Sequence, residues 1–360
     1  MNKLKVGILY GGRSVEHQVS INSARNVYEY LDRNAYEPYL IAVSKLGRWY
    51  LSPSIDEPIE SGDPLSIVLD PDNSAFIQEK SQQKLNIDVI FPVLHGTDGE
   101  DGSIQGLLKS LDIPCVGTGV LGSAVSMDKL TTKQLLSSAA IPTSKFVSFK
   151  KTEQSHIKFE EIEAQLGLPF MAKAGGLGSS VGISKVTNKE KFEAAVSDCF
   201  KYDDLIIFEE YIKGRELECA IIGNDTPEAS MPGEIVISDK YDFYTFDAKY
   251  VDKCAVQIVV PAQLDAEAQQ TIRALAVRSY QVLRCEDYAR VDLFLTDEGE
   301  VFINEINTLP GFTNSSMFPM MWAERGIAFT PLISKLINAA LERFKRQNEK
   351  STRFESALDS

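Results

Sequence analysis

Between Tyr288 and Thr313 the chain reads YARVDLFLTDEGEVFINEINTLPGFT, two apolar runs joined by a short turn around Glu298 and Gly299. Such a pair of runs predicts a β-hairpin, and its polar interruptions limit which folds can hold it. Side chains alternate between faces along a strand, so Glu305 and Asn307 point the same way. With Glu298 and Gly299 as a two-residue loop, Asp292 falls opposite Glu305 and Arg290 opposite Asn307. A three-residue loop would shift that register. Two carboxylates and an amide facing one another inside apolar strands repel unless positive charge sits between them. Oxygen-only donors suit Mg²⁺, which takes one or two carboxylates and completes its shell with phosphate oxygens and water. A solvated polar face on an edge hairpin accounts for the same residues, and from this segment alone the two readings stand level.

At 360 residues the chain is longer than most single domains, so two or three are expected. Its 44% hydrophobic and 24% charged content is that of a globular protein. A net charge of −14 disfavours nucleic acid or an anionic membrane as partner. An anionic substrate would then need a local cluster of Lys and Arg, or a metal. The five cysteines are scattered and never in CxxC spacing, which reads as buried thiols in a reducing cytosol rather than a zinc site. The opening MNKLKVGILYGG runs straight into a strand, and no apolar run reaches the roughly 18 residues of a membrane span. Secretion and membrane spanning are therefore not expected.

Alternating elements predict α/β and α+β organisation. Strands near 4–10, 39–43 and 88–94 with helices near 19–31 and 103–111 predict a parallel sheet with helices on its faces, over 1–125. From 126 to 215 the order is β-α-β-β-α-β, a split α+β sandwich. From 216 to 345 strands, a helix N-capped by Asp265, the hairpin and a closing helix near 330–344 form a third unit. Residues 346–360 are a polar tail.

Gly175–Gly182, GGLGSSVG, joins two strands. Its glycines would let backbone N–H groups approach an anion, with Ser179 and Ser180 adding hydroxyls. It is neither a P-loop nor a dinucleotide fingerprint, and a structural Gly-rich hairpin is the commoner use. Lys173 changes that weighing, because a lysine ending LPFMAK has a buried stem and needs a charged partner such as a triphosphate. Glu209, Glu210, Tyr211 and Glu216 stand at a strand junction where carboxylates could bond ribose hydroxyls or simply be solvated. MDKLTTK carries two basic side chains at a helix start, read first as a solvated face. Glu16 and His95 fall at carboxyl ends of strands, where open α/β sheets bind ligands. DKYDFYTFDAKYVD is a long, aromatic-rich loop of the kind that closes over phosphate-transfer sites.

Together these segments resemble the ATP-grasp ligases, and closely the D-alanine–D-alanine ligase family. The resemblance runs through GGRSVEHQVS, LHGTDGEDGSIQG, VGTGVLGSAVSMDK, GSSVGISKV, FYTFDAKY, RVDLF and NEINTLPGFT. It implies an ATP-grasp fold behind an N-terminal Rossmann-like domain that holds substrate. Carried over by position, Lys129, Lys173, Ser180, Glu209, Glu210, Tyr211, Glu216 and Lys249 would hold ATP. Asp292, Glu305 and Asn307 would bind two Mg²⁺ (or Mn²⁺) ions. Glu16 and His95 would hold the first D-alanine, and Ser316 and Met317 the carboxylate of the second. Ser179 and Tyr250 would join Glu16 in closing the lid, with Arg290 and the Gly311 N–H stabilising the oxyanion. The resemblance also implies a cytoplasmic homodimer serving peptidoglycan synthesis, with D-serine or D-lactate as alternative second substrates. Two departures stand out. Lys173 is followed by Ala174 where Pro is usual, and the lid reads FYTFDAKY, although Lys249 and Tyr250 are kept. Tyr at 250 favours an amine as second substrate. A nicotinamide-dependent dehydrogenase lacks its GxGxxG here, and a non-catalytic nucleotide-binding module would tolerate Asp292→Asn.

Overall fold

The computed structural model describes residues 3–69, 75–176, 178, 182–238 and 256–350, and within them the strands form three sheets. The first has a parallel heart, with Tyr36–Val43 and Val89–Pro92 on either side of Leu4–Gly11. It is not parallel throughout. Beyond Val43 four further strands extend it antiparallel, through Trp49–Ser52, Asp63–Val68, Ala75–Gln78 and Lys84–Leu85. The reason lies in the connections: a parallel neighbour needs a crossover of a dozen or more residues, and the links here are too short and too rich in Pro and Gly to supply one.

The second sheet is antiparallel, in the order Ile183–Val186, Phe170–Ala174, Leu205–Glu210, Phe146–Lys150. Helices Phe159–Leu166 and Lys189–Tyr202 cover one face, the latter capped by Asn188 accepting from Lys191 N at 3.0 Å. Phe159, Phe170, Phe192 and Phe208 cluster beneath them, with Phe170 and Phe208 edge-on at 5.8 Å between centroids. This core is the sheet's own.

The third sheet runs Val256–Val259, Gly233–Ile237, Arg215–Ile222, Tyr288–Leu295, Val301–Asn307. Helix Ala266–Val282 packs on one face, and Asp265 caps it, accepting from Ala268 N at 2.8 Å. The other face merges with the first sheet: Val6, Ile8 and Phe91 share one core with Phe312, Phe318, Trp322 and Leu336. Helices Met317–Glu324 and Phe329–Asn348 build that junction. The second was expected. The first was not, because MFPMMWAE is apolar on nearly every side and shows no helical period. Arg343 pins the same junction, donating to Cys115 O at 2.8 Å and to Asp287 Oδ2 at 2.8 Å. No described helix is long and apolar enough to cross a membrane. Cys199, Cys219 and Cys285 are buried and Cys115 half-buried, all free thiols that burial pushes up to about 12.

Candidate active site

The hairpin brings Asp292 opposite Glu305 and Arg290 opposite Asn307, as expected, but by another route. Thr296 N donates to Glu300 O at 2.9 Å, which leaves a three-residue loop, with Gly299 at φ 84. By itself that loop would misalign the pairs. A β-bulge between Asp292 and Leu293 restores them: Leu293 pairs with Ile303, while Asp292 pairs with Glu305, so Asn304 is the extra residue. The bulge also turns two consecutive side chains, Asn304 and Glu305, into one cleft.

Asp292 is held by Arg290, whose Nε and Nη2 each donate at 2.7 Å to its two carboxylate oxygens. Glu218, opposite Asp292 on the neighbouring strand, lies 3.1 Å from the same guanidinium. Asn307 Oδ1 accepts from Leu309 N at 3.0 Å and keeps its second lone pair. Asp292, Glu305 and Asn307 thus offer oxygens only, in a row whose charge is negative in sum, which suits a hard divalent cation. Among the described residues no three His, Cys, Asp or Glu side chains stand close enough to hold an ion alone. Asn307 and oxygens from ligand or water would have to complete the shell.

The same cleft is basic on its other wall. Lys173 Nζ donates to Glu209 Oε2 at 3.0 Å and to Asn304 Oδ1 at 3.3 Å. Lys133 Nζ reaches the same Glu209 oxygen at 3.1 Å and donates to Ser144 Oγ at 2.7 Å. Helix Lys129–Ser138 is capped by Asp128, which accepts from Thr131 N at 2.7 Å. Its first face, read from sequence as solvated, is instead buried: Lys129 is 9% exposed and Lys133 1%. Burial pulls both ammonium groups below the usual lysine range, with Glu209 and, for Lys129, Glu305 opposing that. Burial would raise Glu209, yet Lys133 and Lys173 hold it down to about 2. Its Oε1 is buried with no hydrogen-bond partner in the described structure. Met171, Ile183, Ile212, Leu217 and Phe294 complete an apolar slot beside these charges. Glu216 lines it too, as do Glu210 and Tyr211, whose side chains pair outward with Lys145 and Lys185.

A second cleft adjoins the first and shares Lys129, Gly178, Glu218 and Glu305 with it. Glu16, His95, Arg290, Asn307, Gly311, Ser316 and Met317 line it. Glu16 precedes helix His17–Tyr30 and is 7% exposed. His95 Nδ1–H donates to Leu309 O at 2.9 Å, and its Nε2 lies 2.8 Å from Ser23 Oγ. Burial works to lower the His95 pKa, but neighbouring Glu100 and Glu16 raise it on balance. Ser316 Oγ accepts from Thr313 N at 3.0 Å, shaping the turn past Gly311 into helix Met317–Glu324.

The two clefts gather every described residue singled out in the sequence. Ser179, Ser180, Lys249 and Tyr250 lie outside the described residues, as does the whole of DKYDFYTFDAKYVD. Sequence reasoning gave Lys133 no role beyond a solvated basic side chain of MDKLTTK, and passed over Asn304, Glu218 and Glu100. Lys133 had a signal, its spacing of one helical turn from Lys129. The others depend on strand pairing and on burial.

Residues 5–118 match the family model described as D-ala D-ala ligase N-terminus, and residues 135–338 the one described as D-ala D-ala ligase C-terminus. The chain is 45% identical to D-alanine--D-alanine ligase A of Escherichia coli, over 98% of this chain and 100% of that protein. The solved D-alanine-D-alanine ligase of Coxiella burnetii superposes with a TM-score of 0.85 at 33% identity, covering 96% of this chain and 98% of that one. The VanG D-Ala:D-Ser ligase of Enterococcus faecalis gives 0.86 at 35% identity, covering 94% and 100%.

Proposed function

The chain belongs to the D-alanine–D-alanine ligase family, and from that premise we propose how its two clefts carry the reaction. It is an ATP-dependent ligase that joins two D-alanines into D-alanyl-D-alanine for peptidoglycan precursors. The observation that carries the reading is the junction of a lysine-lined cleft that holds an apolar slot with a second cleft lined by Glu16, His95 and Arg290, at Lys129, Gly178, Glu218 and Glu305. A nucleotide in the first would end its phosphate chain where an amino acid in the second begins.

In the first cleft the apolar slot takes the base, with Glu209 Oε1 accepting from its exocyclic amine and Glu216 meeting the ribose. Lys129 and Lys173 balance phosphate charge in a largely buried wall. Asp292, Glu305 and Asn307 would hold two Mg²⁺ or Mn²⁺ ions, which when bound neutralise further phosphate charge. In the second cleft Glu16 holds the ammonium of the first D-alanine beside His95. Its carboxylate attacks the γ-phosphorus, the bond to the bridging oxygen breaks, and ADP leaves an acyl phosphate. The amine of the second D-alanine, held by Ser316 and Met317, attacks the acyl carbon, loses a proton and expels phosphate. Arg290 and the Gly311 N–H stand where the oxyanion develops, and a donor of this sort contributes about 3–4 kcal/mol. Ser179, Lys249 and Tyr250 are assigned to lid closure on the family pattern alone.

Phosphate release from ATP with D-alanine alone tests the proposal, with D-serine and D-lactate as competitors across pH. Release with D-alanine, little affected by D-lactate at neutral pH, is the expected result. Dominant use of D-lactate or D-serine would move the second substrate, a real question given the 35% identity to a D-Ala:D-Ser ligase. A homodimer in the cytoplasm completes the proposal, and sedimentation of the purified protein checks the assembly.

A further inference from the structure

Glu218 faces Asp292 across one ladder, and Asp292 faces Glu305 across the next. One row over three strands therefore holds three carboxylates beside a single guanidinium. Arg290 grips both oxygens of Asp292 at 2.7 Å, and its Nε lies 3.1 Å from Glu218 Oε2. The Glu218 side chain is 4% exposed and that of Arg290 16%. On the proposal that Asp292, Glu305 and Asn307 hold divalent cations, on which this inference rests, Asp292 has two positive claimants. A cation and a bidentate guanidinium on the same carboxylate repel each other in a site with little water to screen them. Glu218 stands beside Arg290 and has no part in the proposed ion shell.

We infer that Glu218 is a positioning residue for Arg290: it takes over the guanidinium as Asp292 turns to the cation, and keeps it in the wall shared by the two clefts. The neighbours of Glu218 on its strand, Leu217 and Cys219, belong to the apolar core and supply no second carboxylate.

The substitution Glu218→Asp separates position from charge, since it keeps the negative charge and withdraws it by one methylene. The readout is Mn²⁺ binding with ADP and no D-alanine, followed by the electron paramagnetic resonance signal of free Mn²⁺, so no turnover is involved. Glu218→Asp is expected to weaken Mn²⁺ binding about tenfold, and to have no effect in an Arg290→Gln background. Binding unchanged by Glu218→Asp overturns the inference, because the field of the carboxylate alone would then suffice. An equal loss in both backgrounds overturns it as well, because Glu218 would then be an ion ligand or a packing residue. Failure of the wild-type protein to bind Mn²⁺ would sink the metal reading itself, and this inference with it.

Discussion

The two walls of the cleft proposed for the nucleotide carry opposite charge balances. On one wall Lys129, Lys133 and Lys173 stand around one carboxylate, Glu209. On the other Glu218, Asp292 and Glu305 stand in one row with one guanidinium, Arg290. The basic wall joins helix Lys129–Ser138 to antiparallel sheet and the acidic wall is antiparallel sheet; both are largely closed to water, and neither is neutral. A buried surplus of charge is costly unless something cancels it. The lysine wall calls for an anion and the carboxylate wall for a cation. The proposed ligand, a triphosphate carrying divalent ions, would supply both.

The comparison breaks most visibly on the acidic wall. Asp292→Asn removes a proposed ion ligand and the bidentate partner of Arg290, and kcat/KM is expected to fall by about 10³-fold. Phosphate release measures it, with circular dichroism expected to show the fold retained. Survival of a tenth of the turnover would mean that the row does not serve the chemistry.

On the basic wall the loss should appear as stability. Glu209→Gln leaves Lys133 and Lys173 buried without their shared carboxylate, at a cost of about 3–5 kcal/mol, measurable by urea denaturation. Adding Lys133→Met should recover part of it, since an apolar side chain of similar length removes one uncompensated charge. A double variant no more stable than Glu209→Gln alone would show that Lys133 is not held by that ion pair.

Acid should erase the same contribution. The folded Glu209 carboxyl lies near 2 against its ordinary 4.5, because Lys133 and Lys173 outweigh the effect of burial. A depressed carboxyl stabilises fully above its unfolded value and less as pH falls toward its folded one. The stability gap between wild type and Glu209→Gln should therefore be level above pH 4.5 and narrow from there toward 2. A gap that widened on acidification would place the stabilising charge elsewhere.

The smallest effect sharpens the meeting of the walls. Asn304→Ala removes the 3.3 Å bond to Lys173, which joins acidic wall to basic, and should cost about 1 kcal/mol. That is a several-fold rise in KM for ATP with kcat nearly unchanged. A fall in kcat instead would tie Asn304 to the reacting atoms.

Much of this was legible in the chain. The helix after Asp265, the β-α-β-β-α-β order of the central unit and the hairpin from Tyr288 follow from short-range periodicity and caps. The facing of Asp292 and Glu305 was read correctly from a loop of the wrong length. Two local irregularities, the three-residue turn and the bulge at Asn304, cancel, and apolar alternation alone does not reveal either. Of the antiparallel extension of the first sheet the chain shows the hairpin through Gly47, whereas the later strands are short and separated by turn residues.

Local sequence determined which segments become helix or strand, and which residue types stand near a strand end, because those depend on neighbours a few positions away. Only the tertiary structure decided that Lys129 and Lys133 are buried rather than solvated, that Glu218 joins the row of Asp292 and Glu305, and that His95 binds Leu309 O across 214 residues of chain. Burial and charge balance are sums over atoms brought from distant parts of the chain, and no window of sequence contains them.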